Sequence, residues 1–70
     1  SNAIAAEALG ISIEDVENYV TFEPNEGNDG ELYSYVAIFD ESTPLEVRQA
    51  AGLGDGFSID LGPNAFDEEA

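Results

Sequence analysis

The sequence predicts a small α+β domain, ordered α-α-β-β-α-β, with a three-stranded sheet whose central strand is 32–39. Three observations carry this prediction. Helix-start chemistry occurs at Ser12 and again at Thr43-Pro44-Leu45-Glu46. Two segments rich in β-branched and aromatic residues, 32–39 and 57–61, have strand character, the second in strict alternation. Between the first helix signal and the first of these lies PNEGNDG, dense in turn formers. At 70 residues the chain is one domain at most. A chain of this size buries only about 60% of its unfolded surface, so the core is thin. Ser1-Asn2-Ala3 resembles the scar of a tag-removing protease and is set aside. The domain is expected over 4–63 and an acidic tail over 64–70.

Taken in order, IAAEAL at 4–9 has high helix propensity, and Gly10 can close the helix. Ser12 is a cap for a second helix over 13–19. Asp15 stands three residues on, and Ile11 and Val16 occupy the positions of a hydrophobic staple. Ile13, Val16 and Val20 are expected to share its buried face. A short strand over 20–24 leads into a hairpin loop at 24–30. The strand 32–39 reads LYSYVAIF; both of its faces are largely apolar, which predicts cover on both sides. Thr43 is the expected cap of the third helix, with Pro44 first and Glu46 completing a capping box. Arg48 lies towards its C-terminal half, where the dipole favours a cation. Gly52-Leu53-Gly54-Asp55-Gly56 is read as a flexible exit from that helix. Residues 57–61 form the last strand, ended by Gly62-Pro63.

Charge excludes more than it identifies. Asp and Glu number 16 against one Arg and no Lys, a net charge of −15. Nucleic acid is an unsuitable direct ligand, since phosphate binding needs Lys and Arg. Anionic membrane is unsuitable for the same reason. With no His and no Cys the chain lacks the commonest general base, the commonest metal ligand and all thiolate chemistry. Ser12, Ser34 and Ser58 have no base to activate them. The expectation is no enzyme and no cofactor.

The segment AAEALGISIEDVENYV resembles a helix-turn-helix, with Ala6, Gly10 and Val16 where that motif places a small residue, a turn glycine and a core aliphatic. The resemblance covers about 16 residues and implies a second helix lying in the major groove. That helix carries Glu14, Asp15 and Glu17 and no basic residue. Carboxylates repel phosphates, so the segment is read as a helical corner packed on the sheet. The acidic loop 25–31 attracts hard cations in principle. With Gly30 at the sixth loop position of an EF-hand, the twelfth is Val36, so the bidentate Glu is absent and no metal site is expected. The glycine-rich 52–56 segment lacks a P-loop Lys.

What remains is a non-enzymatic binding module whose acidic surface engages a basic protein, in its sharpest form a mimic of nucleic acid. The expected contact residues are Glu14, Asp15 and Glu17 on the helix, Glu23, Glu26, Asp29 and Glu31 around the hairpin, and Phe66 in the tail as an aromatic anchor. Two alternatives stand beside it: a structural or regulatory domain excised from a larger protein, exported or not, or a salt-adapted domain whose acidity answers solvent rather than a partner. Ile4, not Met, follows the scar. The native start is therefore either a dropped initiator or upstream, and localisation stays open between cytoplasmic and exported.

Overall fold

A computed structural model describes residues 2–66; Asp67, Glu68 and Glu69, part of the expected acidic tail, lie outside the described residues. The first helix, α1, spans Asn2–Leu9 and buries Ala5, Ala6 and Leu9 on one stripe. Gly10 ends it in the left-handed region, at φ 75°. Its N–H and that of Ile11 donate to the Ala6 carbonyl, at 2.9 and 3.1 Å, so the last turn leaves that acceptor satisfied. A Cβ at Gly10 would lie 3.3 Å from the Ala50 carbonyl oxygen, so the corner between the first two helices abuts the third.

The second helix, α2, spans Ile13–Tyr19 as the sequence predicts. The Ser12 hydroxyl accepts from the Asp15 N–H at 3.0 Å. Ile11 packs against the core and Val16 is buried, both as a staple requires. Ile13 departs from the expected face and is 49% exposed. Val20 is the C-cap of α2 and the first residue of the first strand, so the helical face ends at Val16.

That strand, β1, runs Val20–Glu26, longer than expected, and carries Pro24 within it. Two features make this possible. The sheet order is β1-β2-β3, so β1 is an edge strand, and an edge position tolerates a residue with no N–H to donate. The pairing then slips between Asn25 and Glu26, where a bulge leads into the turn. The strand β2, Leu32–Phe39, is central as predicted and antiparallel to both neighbours. The strand β3 covers Ser58–Gly62, one residue later than expected.

The cover is where the sequence misleads. Pairing puts Val20, Phe22, Ala37, Phe39 and Ile59 on one face, and the core cluster draws its sheet residues from that face. Ala5, Ala6 and Leu9 of α1, Val16 of α2 and a buried Val47 complete the cluster. The other face carries Thr21, Glu23, Val36, Ile38, Ser58 and Asp60, none of them in that cluster. Strand β2 was expected to be covered on both sides, but the helices all serve one. The thinnest dimension, 17 Å, is that of two layers. Three short helices suffice to cover only one face of the sheet.

The third helix, α3, spans Leu45–Ala51 and starts without a side-chain cap. Thr43, the expected cap, is buried and donates its hydroxyl to the Asp40 carbonyl instead. Gly52 closes α3 at φ 74°, with Leu53 N–H donating to the Arg48 carbonyl at 3.0 Å. The glycine-rich segment that follows is tethered, against the expectation of a flexible exit. Arg48 Nη2 donates to the carbonyls of Gly54 and Gly56, at 3.1 Å each, and the guanidinium lies 4.3 Å from the Phe57 ring centroid. The only cation in the chain is thus committed to its own backbone and an aromatic face.

Candidate protein-binding surface

The expected contact residues divide by element. Glu14 and Glu17 are exposed on α2, three apart and so neighbours on its surface, while Asp15 is half-buried. Glu14 and Asp15 stand in the first turn of α2, where the dipole favours anions. Glu23 and Glu26 are exposed on β1, which leaves α2 without a linker. Asp29 and Glu31 are exposed in the hairpin. There the Asp29 carboxylate accepts the Glu31 N–H at 2.9 Å and the Gly27 N–H donates to the Glu31 carbonyl at 2.8 Å, so a hydrogen-bonded turn presents these acids.

Pairing brings one expected residue to a place the sequence did not indicate. Glu23 opposes Val36, and Val36 opposes Asp60, so two carboxylates flank an aliphatic residue on the open face of the sheet. Asp60 accepts from the buried Ser34 hydroxyl and from the Gly62 N–H, at 2.9 Å each. It was missed because only register places 60 in line with 23. Phe66 is packed edge-on against Phe22 and Tyr35, with centroids 5.1 and 4.9 Å apart. Service as a docking anchor requires it to leave this cluster.

At one end of the open face the surface deepens into a groove of about 430 Å³, lined by Tyr19, Thr21, Ile38, Asp40, Glu41 and Phe57, with an edge of the core residue Phe39. Backbone hydrogen bonds fix its walls. The Asp40 N–H donates to the Tyr19 carbonyl at 2.8 Å, and the Phe39 N–H donates to the Phe57 carbonyl at 2.7 Å. Asp40 is further organised by Ser42, whose hydroxyl and N–H both donate to its carboxylate. Those two donors hold the Asp40 pKa below the ordinary aspartate value, the Ser42 hydroxyl contributing most.

No family model, curated protein or solved structure matches this chain. Among the described residues no group of three acidic side chains is arranged to hold a metal ion, and no helix is long and apolar enough to cross a membrane.

The Asp40 arrangement makes a measurable prediction. Ser42→Ala removes the larger of the two causes and is expected to raise the Asp40 pKa towards the ordinary value, read by carboxyl-carbon NMR titration. A depressed folded-state pKa stabilises the fold above the unfolded-state value, and that contribution is lost as pH falls through the folded-state one. Ser42→Ala should therefore narrow the gap in stability between neutral and acid pH at this site. An unchanged Asp40 titration would show that the Ser42 hydroxyl does not reach the carboxylate in solution.

Proposed function

We propose that this chain is a non-enzymatic binding module whose acidic surface engages a basic protein, with contact through Glu14, Asp15 and Glu17 on α2 and Glu23, Glu26, Asp29 and Glu31 around the hairpin. One observation carries the reading. Among the described residues the carboxylates are nearly all exposed, while Arg48 is tied to backbone carbonyls, so that surface offers a partner a field of one sign. Each exposed ion pair is worth only about 0–1 kcal/mol. The collective field acts on the association rate and on orientation instead, and salt weakens it. In the nucleic-acid-mimic form of this reading, rows of carboxylates stand for backbone phosphates in the partner's groove.

The test is capture from lysate of the source organism, repeated at rising NaCl and with excess duplex DNA as competitor. A mimic's partner is expected to be lost in both. Glu14→Lys/Glu17→Lys is expected to abolish capture if α2 carries the contact. A partner that neither salt nor DNA displaces would end the mimic reading.

A second reading has an observation of its own. Every element except β2 bears an exposed carboxylate: Glu7 on α1, Glu46 on α3 and Asp60 on β3 in addition to those above. Such even spread suits a salt-adapted surface, and failure to capture any partner would favour it.

A further inference from the structure

We propose that the groove at the end of the open sheet face seats a lysine or arginine side chain of the basic partner, carried on an extended segment that lies over Ile38 and Val36. The inference rests on the acidic-module reading and deepens it by naming an anchoring subsite that the sequence did not indicate.

The groove has the two-part chemistry of a long basic side chain. Such a side chain buries its hydrocarbon stem along apolar surface while its charged head stays in a polar setting. Here Ile38 and Tyr19 supply apolar and aromatic wall, with Phe57, whose ring already carries the Arg48 guanidinium, beside them, and the exposed Asp40 and Glu41 stand among them as anions. A wholly apolar occupant would strip water from two carboxylates without compensation. A bare cation would leave the aromatic wall unused. The volume of about 430 Å³ is at the scale of a small-molecule pocket, far beyond a single ion and roomy enough for one long side chain. The chain cannot fill the groove with its own cation, because Arg48 is held by the carbonyls of Gly54 and Gly56.

Register supplies the second part of the argument. Two residues along β2 from Ile38 lies Val36, flanked by Glu23 and Asp60. That spacing is about 6.7 Å, the distance between alternate residues of an extended chain. A partner segment with basic residues at i and i+2 would therefore set one in the groove and the next beside the Glu23–Val36–Asp60 row. Asp60 is already oriented for this by Ser34 and by the Gly62 N–H.

The test uses the intact chain, labelled with nitrogen-15, and two synthetic probes. One is an acetylated pentapeptide amide of alternating lysine and valine. The other replaces each lysine with diaminobutyric acid, keeping the ammonium groups and removing half of the stem. The lysine peptide is expected to shift the amide signals of Tyr19, Thr21, Ile38, Glu41 and Phe57 saturably, and the short-stem peptide to leave them in place. Ile38→Thr, which keeps a β-branched residue on an outward position, is expected to weaken the lysine peptide about fourfold, the loss of about one buried methyl group. Equal shifts from both peptides, or shifts confined to Glu14, Glu17 and the hairpin, would overturn the groove while leaving the acidic module intact. Absence of any shift with either peptide would count against both.

Discussion

Phe39→Ala is expected to leave the domain unfolded at 25 °C, shown by loss of the cooperative thermal transition and of dispersed NMR signals. Phe39 is 2% exposed, at the end of the central strand, paired with Val20 on β1. The rest of the buried cluster is small: Ala5, Ala6, Ala37, Val16 and Val47, with Leu9 the only other large member. Removing a buried Phe side chain costs about 3–5 kcal/mol, part of it for the cavity left behind. A single core in a chain under about 70–80 residues rarely supplies more than about 3–5 kcal/mol. The two quantities are of equal size, so little folded population survives. Phe39→Leu keeps most of the volume and is expected to cost less than about 1.5 kcal/mol, with the transition retained at lower temperature. A Phe39→Ala variant that still melts cooperatively within a few degrees of the parent would mean that the core is held elsewhere.

How far the sequence reveals this arrangement depends on how local each signal is. The 13–19 helix was legible because Ser12, Ile11 and Val16 act within one turn, and the structure uses all three. The 32–39 strand was legible from its composition. Pro24 was not, because whether a strand tolerates proline depends on its being at an edge, which is a property of the assembled sheet. Thr43 has the chemistry of a cap, but the Asp40 carbonyl takes its hydroxyl once the turn after β2 closes. The open face was ambiguous in principle. Leu32, Ser34, Val36 and Ile38 are nearly as apolar as Tyr33, Tyr35, Ala37 and Phe39, so periodicity cannot say which face the helices choose. The groove was invisible for the same reason: Tyr19, Ile38 and Phe57 come from three segments that only pairing unites. Phe66 looked like part of a tail because its acidic neighbours dominate the local pattern, whereas its ring answers to Phe22 and Tyr35.

Adding NaCl is expected to raise the melting temperature, the reverse of what a surface held by ion pairs would show. The hydrogen bonds of the sole cation run to the backbone carbonyls of Gly54 and Gly56, so screening has little attraction to weaken. Repulsion, in contrast, is built into the fold. Glu14 and Glu17 are three apart on α2, an arrangement that costs a few tenths of a kcal/mol for like charges. Glu23 and Asp60 sit on strands either side of β2, about 10 Å apart at the usual strand spacing. The Debye length is about 30 Å at 0.01 M, 8 Å at 0.15 M and 3 Å at 1 M. Such pairs are therefore unscreened in dilute buffer, partly screened at physiological salt and almost fully screened at 1 M. A handful of pairs of this kind sums to about 1 kcal/mol, which in a domain of this size is a rise of about 4–8 °C. Chloride rather than sulfate is the salt to use, because sulfate also strengthens apolar burial. For separations like that of Glu23 and Asp60 the rise should be steepest near about 0.1 M, where the Debye length falls through about 10 Å. A melting temperature that is flat or falls with NaCl would mean that the unfolded chain feels the same repulsion as the folded one.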